Sequence, residues 1–328
     1  MSTVNIVMAT YNGEKYIKQQ IESILGSNYT DWSLFIFDDG STDATIEIAK
    51  SFESKFPERI QVSQNEKNLG STLNFLNGLK RVYDLTNVEG TSDNASKMPC
   101  SSNHARYYMF CDQDDVWNRD KIKITLERMK FIEKKFGKDK AHLVFTDANV
   151  VDENLELIYH SFFRSQCLYP YRTDLAHMLM ENKCIGCTVM VNRSMVECLK
   201  ELPDAARLHD WWLGLIAASF GHISYVATST IQYRQHGNNV VGSKSFGEYV
   251  KQRVKSLNNQ KISINACINQ GKEFLRIYQD ELSEEEKKLI SEFTLIADSN
   301  WLKKRYLLLR YGFLKSGLIR NIGLLIII

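Results

Sequence analysis

No uncharged apolar run in this chain approaches the ~20 residues that a membrane span requires. The amino terminus, Met1-Ser2-Thr3-Val4-Asn5, has neither a basic opening nor a long apolar stretch, so no signal peptide is expected. Net charge is only +2 over 328 residues, and no global field selects nucleic acid or an acidic partner. The seven cysteines are odd in number and follow no framework, in a chain long enough to bury a core without staples. That pattern points to a reducing, cytoplasmic setting. A Gly-x-Gly-x-x-Gly after the first apolar run is missing, which argues against a dinucleotide fold. Gly237-x4-Gly242-Ser243-Lys244 imitates a phosphate loop only superficially, because Ser-Lys stands where Lys-Ser or Lys-Thr is needed. Cys184-x-x-Cys187 lacks two further ligands at zinc spacing and reads as a pair of small buried residues.

What is present begins with alternation. Val4–Ala9, Trp32–Phe37 and Ile60–Val62 are short apolar runs, and between them apolar residues recur at helical spacing over Glu14–Leu25 and Asp43–Phe56. A further helix is expected over Ser71–Tyr83, and together these predict βαβ units on a parallel sheet. Residues 86–106 are polar, rich in Ser and Asn, and long for such a connection. After Asn118, a candidate N-cap, a charged helix is expected over 119–136. Strands are expected at Leu143–Phe145, Cys187–Val191 and Ile223–Tyr233, with a helix over Asp210–Phe220. Beyond about residue 244 the pattern becomes long helices, one opened by a capping box, Ser283 with Glu286. The reading is an α/β domain over 1–243 and a helical extension over 244–328.

From Trp301 onward the sequence contains Lys303, Lys304, Arg305, Arg310, Lys315 and Arg320 and no acid, among many apolar residues. Such a segment suits an anionic membrane surface. Its charges spread around the helical wheel, and packing on its own domain or a partner is the other reading.

Three motifs fall at expected strand ends, where open parallel sheets bind ligands: Thr10-Tyr11-Asn12-Gly13, Asp38-Asp39-Gly40-Ser41-Thr42-Asp43 and Cys111-Asp112-Gln113-Asp114-Asp115-Val116-Trp117. The last sets three carboxylates within four residues. Their repulsion is relieved by a hard divalent cation with bound phosphate oxygens. The plainer reading is an acidic turn at a helix N-terminus.

With Asn68-Leu69-Gly70, His209-Asp210-Trp211-Trp212 and Tyr233-Arg234-Gln235-His236-Gly237-x-Asn239, these motifs occur in order over residues 4 to about 242. The set resembles the bacterial family 2 glycosyltransferases of the GT-A fold, in particular the rhamnosyltransferase branch of surface polysaccharide synthesis. The resemblance implies a mixed, mostly parallel sheet flanked by helices and an inverting, metal-dependent sugar transfer. The donor would be a nucleotide sugar, dTDP-rhamnose as first choice and a UDP-hexose or UDP-N-acetylhexosamine as the alternative. The acceptor would be a saccharide or a lipid-linked saccharide at the inner membrane face.

It also implies roles. Ala9, Thr10 and Tyr11 line the base pocket, and Asp39 rather than Asp38 accepts the imide N–H of uracil or thymine. Asp114 is the direct ligand of Mg²⁺ or Mn²⁺, with Asp112 toward the ribose or a metal-bound water. Arg234 and His236 hold the diphosphate, His236 also as a metal ligand. Asp210 is the base that takes the acceptor's proton, with His209 to orient it. An N-cap role is the alternative for Asp210, and the direction of its pKa shift is open. Trp117 is expected to pack rather than to stack on sugar, and Gly242 to allow a loop to close over the donor. A nucleotidyltransferase would need a glycine-rich, basic first loop, which Thr10–Lys15 lacks. A non-catalytic carbohydrate-binding homologue would be expected to have lost the Asp pair or Asp210.

Overall fold

The computed structural model describes residues 4–87, 106–236 and 257–328. The 86–106 excursion, the boundary at 243/244, and Gly237, Asn239 and Gly242 lie largely or wholly outside the described residues. One nine-stranded sheet organises the molecule. Strands β1 (Val4–Thr10), β2 (Trp32–Asp38), β3 (Ile60–Gln64) and β4 (Tyr107–Cys111) are consecutive parallel neighbours, in the order β3-β2-β1-β4. Their near-continuous Val, Ile, Leu and Phe content fits burial on both faces. Helices α1 (Ile17–Leu25), α2 (Thr45–Lys55) and α3 (Ser71–Asn87) make the crossovers. Register sets Thr10 beside Asp38 and Asp38 beside Gln64, so the first two polar motifs leave the sheet at one edge.

Past β4 the chain turns through the short β5 (Val116–Trp117) into α4 (Lys121–Phe136) and β6 (Ala141–Val151), which carries the small β7 (Leu157–Tyr159). Then come α5 (Phe162–Ser165), α6 (Leu175–Met180), β8 (Met190–Asn192), α7 (Arg193–Cys198), α8 (His209–Phe220) and β9 (Gly221–Arg234). Strand β8 runs antiparallel between β4 and β6, whereas β6 and β9 pair in parallel. The sheet is thus mixed and mostly parallel.

Two expected boundaries shift for physical reasons. Asn118 does not cap α4: its amide donates to the Ser229 carbonyl at 3.0 Å and accepts from Gln232 at 3.1 Å, and the helix starts only at Lys121. The expected strand from Cys187 opens instead as a turn of 3₁₀ helix, Gly186–Thr188, before β8. Helix α8 is buried on every side from His209 to Ala217, as its all-round apolar composition demands.

The last elements are α9 (Leu257–Tyr278), α10 (Glu284–Thr294), α11 (Trp301–Tyr311) and α12 (Leu318–Ile327). The Ser283–Glu286 capping box opens α10. Phe274 and Tyr278 of α9 pack on Trp212 of α8 with ring centroids 5.4 and 6.4 Å away, so these helices share the core of the sheet domain. Among the described residues no helix is long and apolar enough to cross a membrane.

Candidate active site

A cavity of about 640 Å³ opens at the carboxyl ends of β1, β2 and β4. Ala9, Thr10, Tyr11, Asp39, Asp112, Asp114 and Asp210 all line it. Arg234 and His236 stand beside it.

The two adjacent aspartates of the second motif divide their work. Asp38, fully buried, accepts from Thr10 Oγ1 at 3.0 Å, from the Gly40 and Ser41 N–H groups at 3.2 and 2.9 Å, and from Gln64 at 3.2 Å. Every bond goes to the protein, and Asp38 anchors the turn. Asp39 reaches the cavity. Its Oδ1 accepts from the Leu69 N–H at 2.8 Å and Asn65 at 2.9 Å, and its Oδ2 from the Gly70 N–H at 2.8 Å. Oδ2 therefore keeps acceptor capacity for a ligand N–H.

Gln113 ties the β4 end to the β1 end. Its amide accepts from the Tyr11 N–H at 2.8 Å and donates to the Tyr11 carbonyl at 3.0 Å. Gly13 is glycine because of this bridge: a Cβ there would lie 2.2 Å from Gln113 Oε1. Asp43 accepts from the Thr45 N–H at 3.0 Å and the Glu14 N–H at 3.1 Å, fastening the start of α2 to the first loop.

Around the acidic run, burial and then the Asp114 and Asp210 carboxylates push Asp112 up to about 7. Burial, followed by Asp114 and Asp112, drives Asp115 well above the carboxylate range. Asp115 accepts the Arg234 N–H at 3.1 Å. His236 Nε2 lies 2.8 Å from Asp114 Oδ2, its ring stacked on Tyr16 at 5.0 Å. Trp117 is buried against the Lys121 ammonium and makes no wall of the cavity.

Arg234 departs from its expected place. Its guanidinium donates to the Asp114 carbonyl at 2.7 Å, the Glu153 carbonyl at 2.5 Å and Gln19 at 2.6 Å, and lies over Tyr16. With 2% of its surface exposed, it braces the acidic loop from behind instead of facing the cavity.

Also lining the cavity, Asp210 sits in the first turn of α8, not at its N-cap, which is Leu208. Its Oδ2 accepts from Asn182 at 3.0 Å and its Oδ1 from the Trp211 N–H at 2.8 Å. Burial outweighs these bonds and raises its pKa to about 6. His209 does not orient it. The imidazole packs on Phe75 at 4.1 Å, neither ring nitrogen has a hydrogen-bond partner among the described residues, and burial lowers its pKa to about 3. Asn182 does the orienting. No sequence signal marked it, since its partner lies 28 positions away.

The sequence profile of Glycosyl transferase family 2 matches residues 5–85. The dTDP-rhamnosyl transferase RfbG of Shigella flexneri is 31% identical over 245 residues, covering 72% of this chain and 74% of that protein. The chain is a family 2 glycosyltransferase. The fold agrees: Staphylococcus aureus TarS 1–349, solved with UDP-GlcNAc, superposes with a TM-score of 0.55 at 14% identity, over 95% of this chain and 79% of that one. The mannosyltransferase PcManGT of Pyrobaculum calidifontis, solved with GDP-Man and Mn²⁺, gives 0.51 at 12% identity, over 98% and 78%. Both likenesses place this glycosyltransferase in the GT-A fold.

The donor set of this glycosyltransferase fits a hard divalent ion. Asp114 Oδ2 and His236 Nε2 converge to 2.8 Å at the cavity edge, and Asp112, raised to about 7 by burial and then by the Asp114 and Asp210 charges, sits in crowded like charge that a cation would relieve. Asp112, Asp115 and Cys187 also bring one ligand atom each within 4.8 Å of one another, but a buried thiol is a poor partner for Mg²⁺ or Mn²⁺. The Asp114–His236 side is the better match. Cys184 and Cys187 are buried and unbridged.

Proposed function

We propose that this glycosyltransferase is an inverting, metal-dependent enzyme that moves L-rhamnose from dTDP-rhamnose onto a saccharide or lipid-linked acceptor in surface polysaccharide synthesis. The likeness to the Shigella flexneri dTDP-rhamnosyl transferase supports the donor. One observation carries the mechanism: donor-type carboxylates and a buried, proton-hungry Asp210 line one cavity.

Asp39 takes the thymine imide N–H on Oδ2, and Ala9 to Tyr11 wall the base. Asp114 and His236 hold Mg²⁺ or Mn²⁺, with Asp112 toward the ribose or a metal-bound water. The bound ion supplies positive charge to the leaving diphosphate as the glycosidic bond breaks. Arg234 fixes the Asp114 backbone and so acts on the diphosphate only indirectly. Asp210 accepts the proton of the acceptor hydroxyl while that oxygen attacks the anomeric carbon and the nucleoside diphosphate departs from the other face. Near neutral pH a carboxyl with a pKa of about 6 is mostly ionised yet basic enough to help. The exposed apolar faces of α11 and α12, with the basic residues of α11, seat the enzyme on the inner leaflet, where a lipid-linked acceptor is found.

A panel of sugar nucleotides with Mn²⁺ tests the reading, with dTDP-rhamnose expected to turn over best. Turnover of a UDP-hexose or UDP-N-acetylhexosamine instead would reassign the donor. Asp114→Ala should lose both transfer and Mn²⁺-dependent nucleotide binding. Asp210→Asn should lose transfer by about 10²- to 10⁴-fold while nucleotide still binds. Normal transfer by Asp210→Asn would overturn the base assignment.

A further inference from the structure

The segment between α6 and the 3₁₀ turn, Glu181-Asn182-Lys183, carries the side chain that orients Asp210 among the described residues. Asn182 is itself held, its Oδ1 accepting the Cys184 N–H at 3.0 Å. Its neighbour Glu181 is gripped from the far end of the chain. The Glu181 carboxylate accepts the Ser316 N–H at 2.7 Å, Ser316 Oγ at 2.6 Å and Arg320 Nη1 at 3.2 Å, and it pairs with Lys183. Ser316 Oγ accepts in turn from Lys183 Nζ at 2.9 Å and from the Tyr169 N–H at 3.0 Å, while Arg320 Nη2 donates to the Gln166 carbonyl.

This cluster is buried: Ser316 is 1%, Lys183 1% and Arg320 8% exposed. Against its own burial, Glu181 is held below the ordinary carboxylate range by Lys183, Ser316 and Arg320. An apolar contact of equal volume would fasten a helix about as firmly as a buried ion network does. What the network adds is direction, because each bond fixes one atom of the segment that carries Asn182. The same stretch of tail also reaches the site, with Lys315 lining the cavity next to Glu181 and Asn182.

We propose that the tail is a positioning element of the active site, in which Ser316 and Arg320 lock Glu181 so that Asn182 presents Asp210 to the acceptor hydroxyl. The proposal rests on Asp210 as the base. Of the six basic residues of the tail, Arg320 is the one that is buried, joining the surface proposed to meet the membrane to the residue proposed to take the proton.

The test uses the full chain with its donor and acceptor, reading kcat, donor KM and nucleotide affinity separately. Displacement of a base by a fraction of an ångström is costly, so Ser316→Ala and Arg320→Ala should lower kcat about tenfold while nucleotide affinity stays within about twofold. Arg320→Lys, which keeps a charge for Glu181, should recover most of the loss. Because the tail acts through Asn182, Ser316→Ala should cost nothing further in an Asn182→Ala background. Unchanged kcat in both tail variants, or losses that multiply with that of Asn182→Ala, would overturn the proposal. Equal falls in kcat, nucleotide affinity and melting temperature would also overturn it, as the mark of general loosening. Should Arg320→Ala fail to fold, Ser316→Ala removes a single oxygen and still decides the matter. Failure of the underlying reading looks different, since Asp210→Asn would then transfer sugar whatever happens at Ser316.

Discussion

A carboxylate serves as a base only while ionised, and the environment of Asp210 sets where that begins. Burial raises its pKa to about 6, opposed by the Asn182 amide and by backbone N–H groups. With metal saturating, kcat/KM should therefore hold above pH 6 and fall by about tenfold per unit well below it. Asn182→Ala removes a bond that favours the ionised form, so the acid limb should move upward; a limb that stayed put would show that Asn182 does not reach the base. Gly13 gives a second expectation. A Cβ there displaces the Gln113 amide, a flexible end, so Gly13→Ala should leave thermal stability nearly unchanged. Loss of the bridge to Tyr11 should raise donor KM by roughly fivefold, the worth of about one hydrogen bond. Residue types at this site were legible in the sequence, because crowded carboxylates at strand ends have few other uses. Directions were not. Asp38 and Asp39 are neighbours with opposite fates, Arg234 turns behind the loop it was expected to serve, and His209 rests on Phe75 instead of touching Asp210.

Elements were more legible than their joints. The Val, Ile and Phe runs of β1 and β2 and the all-round apolar α8 announce themselves, because each buries a continuous surface. Helices α5, α6 and α7 span only four to six residues and present too little periodic pattern to stand out. The junction of α8 and β9 shows what pattern reasoning misses. Helix α8, which bears Asp210, runs directly into β9, which bears Arg234, and Gly221 is the first residue of the strand. Its φ is not the issue; a Cβ there would lie 1.7 Å from the Ala141 carbonyl oxygen of β6. Backbone cannot swing aside as a side chain can. Gly221→Ala should destabilise the protein by about 3 kcal/mol, read as a lower urea midpoint, and should misplace Asp210 and Arg234 together. A midpoint equal to that of the unchanged protein would mean that β6 and β9 separate more easily than their parallel pairing implies.

At the scale of the whole molecule, the sheet presents the donor side and the last helices present a different surface. On α11, Leu302, Tyr306 and Leu309 stand 61–72% exposed at a spacing of one turn, with Trp301 beside them at 64%. On α12, Leu318, Ile322 and Ile326 repeat the pattern at 49–76%. Lys303, Lys304, Arg305 and Arg310 flank the first strip and no acid lies anywhere from Trp301 onward. The even spread of charge around the wheel, an objection when only sequence is considered, weakens because Arg320 is withdrawn to Glu181. Four basic residues near an anionic leaflet contribute about 1 kcal/mol each, and the apolar strips add burial that salt does not screen. Binding to vesicles containing phosphatidylglycerol should thus be strong at low salt and reduced at ionic strengths where the Debye length falls to about 8 Å. It should be weak on purely zwitterionic vesicles. Leu309→Glu with Ile322→Glu should release the protein from anionic vesicles while leaving transfer to a soluble saccharide acceptor intact, since neither side chain lines the cavity. Sedimentation with lipid that survived both changes would move the contact surface elsewhere, and a parallel loss of transfer would mean that these strips cover another part of the protein.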